Sequence, residues 1–171
     1  MGNAKTQSQL NLSSRFKRFY SFMLANPVGV LSTITPDEEP HGVVIYYVPD
    51  EKLNIYFITR EGTRKCDNIR HNNIVSLTAF NSMNQSSIQA IGHCMQIGNK
   101  TELNNLAGEI LNISNTTSLQ KLPPLTKLSA GPYIGFKIVP DQIRMAVYSP
   151  PENRYQNHEL FESIESFDLR A

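Results

Sequence analysis

Three consecutive residues, Thr63-Arg64-Lys65, place a hydroxyl, a guanidinium and an ammonium where a strand pattern gives way to a helix pattern. Leu53 to Thr59 reads Leu-Asn-Ile-Tyr-Phe-Ile-Thr, a β-branched and aromatic run of strand length. Gly62 breaks it, and Thr63 suits the N-cap of a short polar helix ending near Asn72. Cations in a first turn oppose the helix macrodipole, which favours negative charge there. An anion among the free backbone N–H groups, with Arg64 and Lys65 closing over it, resolves that conflict. The plainer alternative is a solvated helix start that happens to be basic, and this stretch alone leaves both open.

Other chemistry-bearing residues are dispersed. His41, His71, His93 and His158 are scattered, and each alone reads as a surface or core histidine. Cys66 and Cys94 lack CxxC spacing and read as reduced thiols in a reducing, cytoplasmic compartment. Tyr46 and Tyr47 each offer an aromatic body with a polar tip, and each alone reads first as a packing residue. There is no recognisable nucleophile triad or metal cluster.

The chain of 171 residues suits one domain with a single core. Hydrophobic residues at 40% and charged residues at 18% describe a globular protein, not a disordered one. A formal charge of +1 provides no basic field, so nucleic acid is not an expected partner. No apolar run approaches spanning length and no signal-peptide pattern opens the chain, so a membrane is not expected either. Met1-Gly2-Asn3-Ala4-Lys5-Thr6 fits the N-myristoylation pattern, although a polar N-terminus explains it more simply. The Asn-x-Ser/Thr matches at Asn11, Asn84, Asn99, Asn112 and Asn115 read as by-products of an Asn-rich sequence.

The elements that must position these residues follow from periodicity. Residues 1–11 read as a flexible segment, 12–148 as the domain, and 149–171 as a tail packing on the domain or on a dimer partner. A helix is expected from Ser13 or Ser14 to Asn26, with Leu12, Phe16, Phe19 and Met23 at helical spacing. Phe16, Phe19, Tyr20 and Phe22 give it more apolar girth than one stripe needs, which suggests a second partner. Val28–Thr35, His41–Val48 and Leu53–Thr59 read as a three-stranded meander joined by short turns. Ile74–Phe80 and Ser87–Gly98 follow, the latter with a bulge or close approach at Gly92. A helix runs from Lys100 or Thr101 to about Ile113, then a proline-broken connector to Ser129. Tyr133–Val139 and Gln142–Tyr148 read as two strands around a Pro140-Asp141 turn, and His158 to Glu165 as a short acidic helical patch. Six or seven antiparallel strands with peripheral helices predict a small closed barrel of the α+β class.

In this order the elements resemble the FMN-binding split-barrel proteins related to pyridoxamine 5′-phosphate oxidase. The resemblance runs from Gly29 to about Gly98, and its most specific part is Phe57-Ile58-Thr59-x-x-Gly62-Thr63-Arg64-Lys65. That segment resembles a Tyr-Thr, then Ser-Arg-Lys pattern that holds the FMN phosphate and ribityl chain in the family. Gly131 to Pro140 is similar to the family's penultimate strand and turn. The resemblance implies cofactor contacts from Val43, Tyr46, Tyr47, Ile58, Thr59, Thr63, Arg64, Lys65 and Ser87. Thr63 stands for a serine, Gly42 or Val43 and Tyr47 stand where the oxidase carries basic residues, and Ser87 replaces a glutamine.

The same resemblance implies a homodimer with shared flavin sites and an FMN-dependent oxidoreductase acting on a small molecule. A flavin-binding stress or sensor protein without turnover, a deazaflavin protein and a haem-binding split barrel are the alternatives. The family oxidase grips its pyridoxal product with an Arg-x-His-Asp-Arg segment. Here the comparable Asn153 to His158 keeps only Arg154 and places Gln156 at the central histidine, so vitamin B6 oxidation is not expected.

Overall fold

The computed structural model describes residues 2–117, 132–148 and 161–169. In chain order they form α1 (Gly2–Ala25), β1 (Val28–Ile34), β2 (Pro40–Tyr46), β3 (Val48–Pro49), β4 (Ile55–Arg60) and α2 (Arg64–His71). β5 (Ile74–Asn81), β6 (Ser86–Gln96), α3 (Lys100–Thr117), β7 (Tyr133–Tyr148) and β8 (Phe161–Asp168) complete them. The strands make one antiparallel sheet in the order β2-β1-β5-β6-β7-β4-β3, with β8 added along β7. The sheet curls into the split-barrel arrangement expected for an α+β chain of this pattern.

Strand alternation sorts the side chains into two layers. In β1, Gly29, Leu31 and Thr33 are buried while Val28 and Val30 are exposed. The inner layer is the main core, built on Leu31, Phe57, Leu77, Phe136 and Ile138 and closed by Phe19, Phe22 and Met23 of α1. Each such aromatic or aliphatic side chain contributes about 1.5–3 kcal/mol on burial. Phe16 and Phe19 also pack on Phe167 of β8, with ring centroids 4.9 and 5.0 Å apart. The apolar girth of α1 is thus used within the chain, and it gives no evidence of a second subunit. On the outer layer α3 covers a smaller cluster of Ile58, Ile97, Leu106, Ala107 and Ile110. It approaches so closely at Gly135 that a Cβ there would lie 2.7 Å from Leu103 Cδ1.

Four expectations change. The expected strand His41–Val48 breaks at Tyr47, so β4 meets it only through the two-residue β3 and takes β7 along its other edge. The short turn keeps Val48 and Pro49 beside Tyr56 and Ile55, while the longer ladder of β4 is the one with β7. β7 is one continuous strand of 16 residues, not two. Its register against β6 shifts where Gly92 faces Pro140 and Asp141 is left over, so the proline sits at a bulge that needs no donor from it. The expected acidic helix is strand β8, because Phe161 to Asp168 can complete the free half of β7. Finally, α1 begins at Gly2, well before Ser13. Asn153 to His158 and most of the proline-broken connector lie outside the described residues.

Candidate cofactor site

The turn between β4 and α2 is built for a sharp reversal. Gly62 takes φ 72°, a left-handed conformation that a side chain would oppose. Thr63 then stands extended at the N-cap, with φ −86° and ψ 151°. Cys66, Asn68 and Ile69 turn inward and are buried, which orients the helix. Asn68 Nδ2 donates to Thr33 Oγ1 at 2.9 Å and ties α2 to β1. With that face committed, Lys65 falls against the end of β4 and Arg64 and Asp67 face outward.

The structure brings Thr59, Thr63 and Lys65 together. Lys65 Nζ donates to Thr59 Oγ1 at 2.9 Å, and Thr59 itself is only 6% exposed. Thr63 Oγ1 lies 3.5 Å from Thr59 Oγ1 and 3.1 Å from Cys66 Sγ. The Thr63 side chain makes no cap bond, and while Cys66 N–H donates to the Thr63 carbonyl at 2.8 Å, the Arg64 and Lys65 N–H groups at the start of α2 are left for another acceptor. Partial burial holds the Lys65 ammonium below the usual lysine range, opposed in part by the neighbouring Cys66 thiol. A half-desolvated ammonium, two hydroxyls and a free helix start form a set of donors that fits a phosphate dianion.

Arg64 does not join Lys65 at Thr59. It is exposed and lines a concavity of about 380 Å³ with Thr35, Asp37, Glu39, Asp67 and Asn68. Among the described residues it forms no ion pair within 4.0 Å. Ile58 and Tyr46 meet in the cluster beneath α3, and Val43 packs against the main core. Tyr47 is completely buried, and its hydroxyl donates to the Asn26 carbonyl at 2.7 Å. Burial pushes that phenol well above its ordinary range, so it stays a neutral donor. Its side chain belongs to the fold's interior. Ser87 opens on the outer sheet face, in a concavity of about 250 Å³ shared with Thr78, Gln89 and Arg144.

Sequence reasoning passed over Arg144 and Gln89, which face each other across β6 and β7. The available signal is a cation at an outward position between Ile143 and Met145, which both turn inward. Cys66, which its spacing marks only as a reduced thiol, packs directly on Thr63. No group of three or more metal-ligating side chains forms among the described residues. None of the described helices is long and apolar enough to cross a membrane.

Comparison with known proteins agrees with this layout. The profile of the family described as pyridoxamine 5′-phosphate oxidase matches residues 16–146. A comparison with curated proteins finds no match. Among solved structures, general stress protein 26 from Bacillus anthracis is similar with a TM-score of 0.56 at 21% identity, over 78% of this chain and 92% of that one. A FAD-binding protein from Mesorhizobium loti gives a TM-score of 0.54 at 22% identity, over 71% of this chain and 86% of that one. A haem-binding protein from Mycobacterium smegmatis gives 0.60 at 11% identity, over 91% of this chain and 57% of that one. At these identities the likenesses concern the fold.

Proposed function

We propose that this chain, which belongs to the pyridoxamine 5′-phosphate oxidase family, binds FMN and works as a flavin-dependent oxidoreductase on a small molecule. The observation that carries the proposal is the Lys65 ammonium held at Thr59 beside Thr63 and the start of α2. Lys65 has two further N–H donors, enough to meet two phosphate oxygens. Thr59 and Thr63 orient it, and Arg64 can swing over the anion from its exposed position. FMN, when bound, supplies the redox chemistry, so the chain needs no nucleophile of its own. The FAD-binding relative supports a flavin in general. The choice of FMN rests on a phosphate-sized cluster of donors.

A homodimer completes this proposal. Val30 and Val44 pair across β1 and β2 on the outer face, at 42% and 64% exposure, with Val28 and Phe80 also exposed there. α3 leaves this apolar stripe bare, and a second copy of the chain is its proposed cover. Ser87 opens on the same outer face, which suits a flavin shared between two subunits.

The test is the visible spectrum of the purified protein after incubation with FMN, followed by titration of variants. The wild type should retain yellow flavin after gel filtration and elute at twice the 19.3 kDa chain mass. Arg64→Ala with Lys65→Ala should weaken FMN binding about tenfold to a hundredfold, the equivalent of about 1.5–3 kcal/mol. Unchanged affinity in that double variant would remove the site.

A further inference from the structure

Arg144 occupies the middle of the outer sheet face. The register places Thr78, Gln89, Arg144 and Ser166 side by side across β5, β6, β7 and β8. Such directly opposed side chains stand about 4.5–5.5 Å apart at their Cβ atoms. Arg144 is the one charge in that row, and it is exposed without an ion pair among the described residues. Two hollows meet at Arg144 and Gln89. The larger, about 510 Å³, has Ile91 and Ile164 in its wall. The smaller, about 250 Å³, is walled by Tyr148 and Phe161, whose rings pack at 4.8 Å between centroids.

We propose that this place binds a single-ring aromatic carboxylate, its carboxylate on Arg144 and Gln89 and its ring against Tyr148 and Phe161. A guanidinium fork matches a planar carboxylate in two parallel hydrogen bonds, and Gln89 adds an amide donor beside it. The two rings, tilted by 42° to each other, offer an apolar wall on which a single ring can pack. Ser87 lies in the smaller hollow, so the compound would sit beside the outer-face part of the flavin pocket. Its role as the flavin's substrate rests on the function proposed above; its binding does not.

The experiment titrates benzoate into uniformly labelled full-length protein without flavin, followed by amide chemical shifts. Millimolar binding is expected, with shifts centred on β6, β7 and β8. Arg144→Gln should weaken it tenfold or more, and benzyl alcohol, which keeps the ring without the charge, should bind the wild type correspondingly weakly. Arg64→Ala should leave benzoate binding unchanged. Equal affinity in Arg144→Gln, shifts centred on α2, or no binding up to ~20 mM would each overturn the proposal. Loss of FMN binding with benzoate binding intact would instead count against the flavin assignment alone. A folded Arg144→Gln variant, judged by an unchanged unfolding midpoint, makes the comparison valid.

Discussion

Lys65 Nζ sits 2.9 Å from Thr59 Oγ1, so the last inward residue of β4 holds the first cation of α2 that faces the barrel. The hydrogen bond turns a flexible four-carbon stem into a positioned charge. Thr59→Val keeps the shape and deletes the acceptor. A charged donor left without its partner loses about 1.5–3 kcal/mol when buried. Lys65 is only half-buried, so solvent screening reduces the expected loss to about 1 kcal/mol. Urea unfolding should show that decrease, and FMN affinity should drop severalfold. A variant unchanged in both would mean that the bond positions nothing.

Arg64 shares its concavity with Asp37, Glu39 and Asp67, three exposed carboxylates that compete with any phosphate for the same guanidinium. Asp37→Asn with Glu39→Gln should therefore tighten FMN binding, by about two- to fivefold at low salt, since exposed pairs are worth only tenths of a kcal/mol to one. The gain should shrink in 0.5 M salt, where screening is short-ranged. The backbone bond from Glu39 N–H to Thr35 Oγ1 at 3.0 Å survives both changes, so the turn should keep its shape. Affinity that falls, or stays put at low salt, would contradict the competition.

How far the fold could be read from the residues varied with how local the deciding interaction is. The boundaries of α2 and the two cations at its start were legible because Gly62, Thr63 and the polar run after them act within a few residues. The pairing of β4 with β7 was not, since sequence separation carries no signal about which edge a strand will join. His158 to Glu165 reads as a short acidic helical patch in isolation, yet the free half of β7 makes Phe161–Asp168 a strand. Tyr47 shows the same limit within the site. Its alternation marks it as inward-facing, but only the fold shows its hydroxyl spent on the Asn26 carbonyl.

Gly92 illustrates a position where the sequence signal and the packing agree. A Cβ built there would lie 2.1 Å from the Val139 carbonyl oxygen and 2.6 Å from Pro140 Cα. Both are backbone atoms at the β6–β7 register shift, so neither can move aside alone. Gly92→Ala should destabilise the protein by about 3 kcal/mol and lower Tm by about 6–12 °C. A calorimetric shift under about 2 °C would show that the bulge relaxes freely.

The pH dependence of anion binding separates Lys65 from its neighbours. Burial lowers its pKa below the ordinary lysine value of 10.5, so the ligand-free protein loses that proton earlier than an exposed lysine does. A phosphate beside the ammonium favours the charged form, so FMN binding requires the proton and its affinity must fall as pH rises through the lowered value. The effect on stability has the opposite sign. Between the folded-state value and 10.5 the unfolded chain binds more protons than the folded one, so this group makes the ligand-free protein more stable as pH rises. Lys65→Arg keeps its charge throughout and should flatten both dependences. FMN titrations from pH 7 to ~10 should therefore give diverging profiles for wild type and Lys65→Arg, with the wild type weakening on the alkaline side. Superimposable profiles would show that Lys65 does not hold the phosphate, whatever its distance from Thr59.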